Sequence, residues 1–520
     1  MSGHPVVVVG GGHNGLVAAC YLARAGREVL VLEQSDRPGG GSRTEETVPG
    51  GRFDTHSVAH NILNMTSVPE ELDLPGAGLR YVEMEPFATS HATGRPVVRF
   101  FRSVERTVAG LAEHDPAEAH AYEALMARAL PLVDTAVSGL QGGSTPGGVV
   151  RGTLGSARSA LLAVRRSGGL GALAHDLVMP YGALLERDLV SDLVRAPVAS
   201  FAAHSSAGPH VPGSAFYALW QAAYHRHGQW HAVGGSQGLT DALVRRLESL
   251  GGHVRCGADV RRIDATGGRV RGVELADGER VDTDRVVTAT DVQLALLGLL
   301  DPPLTGAVGD GLRAAHRGNA VQMLVHVLTD RLPPYPGARD GDWNGLQSHV
   351  DTLDALRRGF LSAEAGRLPD PVPTYAFTTS ALDATLAPPG QHTVYVACPC
   401  APFEVAGGWE RAAEPFAEAM LDSVERHAPG FRASIRGVSI RTPQAMADEL
   451  AWPGAHPMHL DISLDQLAFQ RPTRALADHR VPGVTGLYAS GAGTAPMGGI
   501  AGTPGRAAAM ALLSDLGSQA

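Results

Sequence analysis

Residues 5–33 read PVVVVGGGHNGLVAACYLARAGREVLVLE, and this stretch decides the fold. Val6–Val9 is a continuous β-branched run, the pattern of a strand buried on both faces of a parallel sheet. Gly10–Gly15 reads as a turn. Leu16–Ala25 has helical composition, its small Ala18 and Ala19 allow close packing on a sheet, and Gly26 stops it. Val29–Leu32 is a second strand, closing at Glu33. The spacing Gly10-x-Gly12-x-x-Gly15 is a weak signal alone. Set between a strand and a helix, with an acid 21 residues after Gly12 at the end of the next strand, it marks a dinucleotide site. Gly10 permits the tight turn, Gly12 lets the backbone approach a pyrophosphate, and Gly15 lets helix and strand pack closely, with the helix N-terminus facing the phosphates. Glu33 is expected to accept hydrogen bonds from a ribose diol. Its charge would repel a 2′-phosphate, which disfavours NADP.

Arg37-Pro38-Gly39-Gly40-Gly41-Ser42-Arg43-Thr44-Glu45-Glu46 follows at once. NAD does not require this second glycine cluster. A longer cofactor, FAD, continues past the pyrophosphate and would. Further along, Leu79–Glu85 and Val97–Phe101 look like strands of another sheet. Helical composition runs from Val104 to Arg195, broken by a Gly/Ser/Pro-rich loop at Ser138–Gly148. Gly234–Gly238 lacks a strand and an acidic partner, so it reads as a helix-entry loop before Leu239–Leu250, not as a second nucleotide site. His253–Cys256, Val260–Ala265, Val270–Leu275 and Arg280–Asp282 form a hairpin-like series with turns at Gly267-Gly268 and Asp277-Gly278. Gly486–Ala489 is a late strand before the final helix. The expected class is α/β: a discontinuous Rossmann-like FAD-binding domain over 1–75, 231–295 and 430–520. A substrate domain of mixed or antiparallel sheet is inserted at 76–230 and 296–429, with a helical lid at about 104–195.

Composition removes other chemistries. The 520 residues hold 43 positive side chains, all Arg, against 53 acids, a balance of −10. Without Lys there is no Schiff base, hence no pyridoxal-phosphate catalysis, no Walker-type phosphate loop, and no lysine-held water beside a flavin. The acidic balance argues against nucleic acid. Four cysteines without a CxxC exclude a dithiol reductase and fit a reducing, cytoplasmic setting. Cys398-Pro399-Cys400 reads as a strand end. No apolar run is long enough to span a bilayer. The histidine groups lack closely set Cys or carboxylate partners, so no metal site is expected.

Three blocks carry a family resemblance: Val6–His60 with its GGxxRTEE pattern, Gly234–Asp291, and Leu460–Met510 with SLDQL, Arg471-Pro472 and GLYASGAGTAPMGGIAGTPGRAAA. Together they span about 170 residues. The chain resembles the phytoene desaturase-like branch of the FAD-dependent amine oxidase superfamily. Two departures stand out. Gly41 occupies the place where amine-oxidase relatives carry Arg, and Ala495-Pro496-Met497 replaces the branch's frequent His-Pro. The resemblance implies that Gly10, Gly12, Gly15 and Glu33 hold the ADP half. It sets Gly40, Arg43 and Thr44 along the pyrophosphate, Val260 beside the adenine, and Gly491, Gly493, Gly499 and Ile500 over the ribityl chain and flavin.

Catalytic candidates are His56, His459 and His60, since a flavin desaturation needs a base for the proton left on the carbon next to the hydride donor. The expected reaction is dehydrogenation of a hydrophobic or biosynthetic intermediate, with oxygen or a quinone as acceptor. The alternatives are amine or amino-acid oxidation and, from another class, a non-catalytic prenyl carrier on the same fold, against which the intact glycine blocks argue. The Arg-rich stretch Arg151–Arg166, with Leu154, Leu161, Leu162 and Val164, reads as a packed lid helix or as a peripheral membrane contact. Oligomeric state is not legible.

Overall fold

The computed structural model describes residues 4–141 and 146–517. Val6–Val9 lies at the centre of a five-stranded, all-parallel sheet in the order Leu487–Ala489, Val286–Thr288, Val6–Val9, Val29–Leu32, His253–Arg255. The strands come from three distant stretches of chain. The valines are buried on both faces, which is why the run does not alternate. His13–Arg24 packs on one face with the last helix, Thr503–Gly517, and with Gln237–Ser249. An ideal Cβ on Gly505 would stand 2.2 Å from the Asn14 carbonyl oxygen, so the final helix can approach only as glycine.

His253–Arg255 corrects the hairpin series. It joins the parallel sheet beside Val29–Leu32, and only Val260–Asp264, Gly272–Leu275 and Arg280–Asp282 form the antiparallel ribbon. Three residues of ambiguous pattern carry too little periodicity to choose a partner; the open edge of the parallel sheet chose it. Gly278, at φ +88°, makes the expected Asp277-Gly278 turn.

The second sheet has seven strands in the order Ile435–Arg441, Ala320–Thr329, His392–Pro402, Tyr375–Phe377, Leu346–Ser348, Ala88–Ser90, Val98–Phe100. All pairs are antiparallel except Leu346–Ser348 with Ala88–Ser90, so the sheet is mixed. Cys398 and Cys400 lie inside His392–Pro402, not at its end. Both are buried and unpaired, and burial pushes the Cys400 thiol well up. A run of helices lies between Val104 and Ala202, and its first, Val104–Ala112, packs against the edge strand Val98–Phe100. The expected Ser138–Gly148 loop falls partly outside the described residues; Ser138–Gln141 end one helix and Pro146 begins the next.

Candidate active site

The carboxyl ends of the parallel strands converge on one cavity of about 490 Å³. Val9-Gly10, Leu32-Glu33, Ala289-Thr290 and Gly491 all line it, the place where open α/β sheets bind ligands. Gly10 takes φ +102°. A Cβ on Gly15 would sit 2.0 Å from the Gly10 carbonyl oxygen and 3.0 Å from the Ala289 Cβ. Gly15 is therefore a packing residue behind the wall. Gly12 is different: a Cβ there would meet only the Gly40 Cα, at 4.0 Å, and both glycines turn bare backbone to the cavity. The Glu33 carboxylate is aimed by two backbone donors, Gly11 N–H at 2.7 Å and Ser35 N–H at 2.9 Å. Asn14 Oδ1 and Thr290 Oγ1 are buried, line the cavity and have no hydrogen-bond partner. Bare glycines, a fixed carboxylate and orphan polar atoms at strand ends fit a dinucleotide such as FAD.

Gly10, Gly12, Glu33, Gly40, Val260, Gly491, Gly499 and Ile500 reach the cavity. Arg43, Thr44 and Gly493 do not line it, which corrects their expected place. The Arg43 guanidinium turns to Glu45 at 2.5 Å and toward Glu449 at 3.7 Å. The Thr44 hydroxyl donates to Asp54 Oδ1 at 2.7 Å. Gly493 packs with its Cβ position 3.0 Å from Val292 Cγ1. These residues brace the wall, a distinction that motif spacing does not carry. Arg506, in the last helix, pairs with Glu71 at 2.9 Å.

The seven-stranded sheet and the lid supply the other end. Phe201, Phe216, Trp220, Tyr375, Phe377 and Tyr395 line it. Of the carboxylates in the lining, Glu33 and Asp259 stand at the nucleotide end, and Asp291 is paired with Arg317 at 2.5 Å. The sequence reading missed this aromatic wall, because its members are scattered over nearly 200 residues. Asp291 carried a usable signal, three residues past the parallel strand Val286–Thr288.

His56 and His459 both line the cavity and both neighbour Trp452, with ring centroids 5.5 and 5.6 Å from the indole. His56 Nδ1 hydrogen-bonds Thr55 Oγ1 at 2.9 Å, Nε2 is buried without a partner, and its carbonyl accepts from Tyr395 Oη at 3.0 Å. His459 is a non-glycine residue at φ +65°, a strained conformation that its surroundings must enforce. Its carbonyl accepts from Arg317 Nε at 2.6 Å, and its Nδ1 stands 3.8 Å from Asp291 Oδ2. Arg471, fully buried, staples this segment through carbonyls, among them Leu460 at 3.2 Å and Ala492 at 3.0 Å. Burial lowers His459 to about 4 and holds His56 well below the usual imidazole range, with the Arg441 charge adding to the latter; both are neutral at physiological pH. His60 is a correction. It does not line the cavity, and its ring is held by Tyr81 Oη at 2.9 Å and Ser236 Oγ at 3.1 Å, so both nitrogens are committed to the fold.

Residues 8–69 match the model of an NAD(P)-binding Rossmann-like domain, and residues 184–397 match that of the flavin containing amine oxidoreductases. The chain is 31% identical to the mouse (Mus musculus) protein named pyridine nucleotide-disulfide oxidoreductase domain-containing protein 2, across 99% of this chain and 94% of that one. It is 26% identical to the lycopene-forming phytoene desaturase of Pantoea ananas, across 98% and 99%. Among solved structures, a putrescine oxidase mutant aligns with TM-score 0.63 at 17% identity over 99% of both chains. Cyclohexylamine oxidase from Brevibacterium oxydans aligns with TM-score 0.58 at 16% identity over 99% of this chain and all of that one. The likeness of the fold, the full-length relatives and the dinucleotide cavity agree: the chain is an FAD-dependent oxidoreductase and belongs to the phytoene desaturase-like branch of the flavin-containing amine oxidoreductase family.

Proposed function

We propose that this chain dehydrogenates a carbon–carbon single bond of a hydrophobic intermediate, with oxygen or a quinone as the final acceptor. One observation carries the reading: the cavity that begins on the glycine loops also has an aromatic wall, and of the carboxylates in its lining Asp291 is already paired with Arg317. Apolar surface there favours an apolar substrate by burial. The segments 1–75, 231–295 and 430–520 would carry the cofactor. Gly12, Gly40 and Glu33 would hold its ADP half, Val260 its adenine, and Gly491, Gly499 and Ile500 its flavin end, with Gly10 and Gly15 shaping the turn.

Bound FAD supplies a two-electron hydride acceptor. His459 is the favoured base for the proton on the neighbouring carbon, since it is neutral, strained and oriented through Arg317; His56 is the second candidate. Arg317 and Asp291 fix the segment that presents it. Trp452, next to both imidazoles, shields them from water. A lipophilic substrate also fits peripheral contact with a membrane.

Anaerobic mixing of the yellow holoenzyme with candidate hydrophobic intermediates tests the reading. Bleaching with formation of the unsaturated product supports it. Bleaching only by amines, with imine or ammonia and peroxide appearing in air, would replace it with amine oxidation. His459→Gln should retain flavin and slow bleaching by about 10²- to 10⁴-fold. His60→Gln should leave the bleaching rate near wild type and lower the melting temperature, since it removes a buried joint to Tyr81 and Ser236. With His459 at about 4, its base form persists down to about pH 5, so the rate should show no loss from this group between about pH 5 and 8. Equal rates in wild type and His459→Gln would remove His459 from the mechanism.

A further inference from the structure

His13 ties the two ends of the chain together inside the cavity. It is the first residue of the helix His13–Arg24, directly after Gly12. The residue is 8% exposed and lines the cavity together with Gly12 and Gly40. Its Nε2 stands 3.1 Å from the carbonyl oxygen of Gly499, 486 residues later. A carbonyl oxygen only accepts, so Nε2 carries the proton and donates. Burial lowers His13 to about 4, the Gly499 bond opposing that shift and His459 adding to it, so the ring donates while uncharged at physiological pH. Gly499 is a place where such a tie matters. It follows Gly498 and takes φ +79°, and glycine explores both signs of φ at little cost. An ideal Cβ on it would meet Ile62 Cδ1 at 3.4 Å and Met458 Sδ at 3.5 Å, neither a hydrogen-bonding anchor. The Gly499 carbonyl also accepts from Ala501 N–H at 3.0 Å, a local bond that moves with the turn. Beyond it, Leu63 N–H donates to the Ile500 carbonyl at 3.0 Å, and the final helix begins at Thr503. The Gly499–Ile500 peptide can rotate ahead of these fixed points, and His13 selects one rotation. A trans peptide points its N–H opposite its C=O, so fixing the carbonyl fixes the Ile500 N–H as well.

We propose that His13 is a positioning residue for the flavin: its bond to the Gly499 carbonyl fixes the backbone of Gly499 and Ile500 against the isoalloxazine end of FAD. The inference rests on the reading that Gly491, Gly499 and Ile500 take that end. Uncharged and turned to a carbonyl, His13 acts through this backbone and adds no ionic clamp on the phosphates. FAD spans both the glycine turn and the Gly499 segment. The tie sets one against the other before the cofactor arrives, which lowers the ordering cost of binding.

The test compares FAD with ADP, each titrated onto the full chain stripped of flavin, in wild type, His13→Leu and His13→Gln. ADP reaches the glycine turn and Glu33 alone, whereas FAD reaches Gly499 as well. Leucine fills the place of the ring without a donor, and the glutamine amide returns a donor at similar reach. His13→Leu should bind FAD about tenfold more weakly, the loss of one hydrogen bond to a buried acceptor, and ADP within about twofold of wild type. His13→Gln should restore most of the FAD affinity. His13→Ala, which adds no bulk, reads the same pair of affinities if the leucine variant does not fold. Equal losses for FAD and ADP overturn the proposal, because His13 then serves the turn and not the flavin. So does a leucine or alanine variant with wild-type FAD affinity, or a glutamine variant no better than leucine. If wild type itself holds FAD no more tightly than ADP, the flavin reading of Gly499 and Ile500 fails first, and the proposal with it.

Discussion

Gly12→Val is expected to give a folded, colourless protein. The backbone at Gly12 has ordinary extended geometry, φ −70° and ψ 168°, so a side chain costs nothing in strain. A Cβ there meets no protein atom nearer than the Gly40 Cα at 4.0 Å, and the added methyls would extend into the space between two bare glycine backbones where a pyrophosphate would lie. Flavin content measured after purification from flavin-replete cells should fall to near zero, while the circular dichroism spectrum and cooperative melting persist. Gly15→Ala is the contrasting case. Its Cβ would fall 2.0 Å from the Gly10 carbonyl oxygen, so the helix must move off the central strand. Overpacking of that kind costs about 1–3 kcal/mol or more, and this variant should melt earlier whether or not cofactor is added. A yellow Gly12→Val protein with wild-type flavin content would remove the glycine face from the cofactor site.

The second large effect is acid lability between about pH 6.5 and 4. Burial holds His13, His204, His459 and His479 to about 4, and His60, His91 and His326 to about 3. The unfolded chain titrates these groups near 6.5. Below that pH the unfolded state binds protons that the folded state refuses, so stability falls as pH drops. Each group lowered by about two units contributes about 3 kcal/mol to that loss. Several together match the 5–15 kcal/mol by which a domain is typically stable. His231 runs the other way. Burial alone would lower it, but the Asp383 and Asp54 carboxylates raise it net, so its contribution is present below the unfolded value and lost as pH rises through the folded one. Seven groups outweigh one. Denaturant unfolding across pH 4–8 should show the free energy dropping steeply below pH 6.5. An unfolding midpoint flat from pH 7 to 4.5 would refute the account.

The stretch Val6–Glu33 determined, without any structure, that a parallel sheet carries a dinucleotide site, because its constraints are local. A buried β-branched run, a turn that only glycine can make and an acid at the end of the next strand all act within a few residues. The same locality made Gly12, Glu33, Gly491 and Gly499 legible as cavity residues. It could not separate them from Arg43, Thr44 and Gly493, since contact and bracing residues occupy the same motifs and differ only in which way they face. Nor could it rank the histidines. His56 and His60 lie four residues apart, yet one faces the cavity and the other is consumed by Tyr81 and Ser236. The aromatic wall, from Phe201 to Tyr395, and the pairing that neutralises Asp291 exist only once the second sheet closes over the first. The sequence alone therefore determined the cofactor half of this protein, whose chemistry is written in backbone geometry. The tertiary structure decided the substrate half, because burial, side-chain direction and partner choice are properties of contacts between residues far apart in the chain.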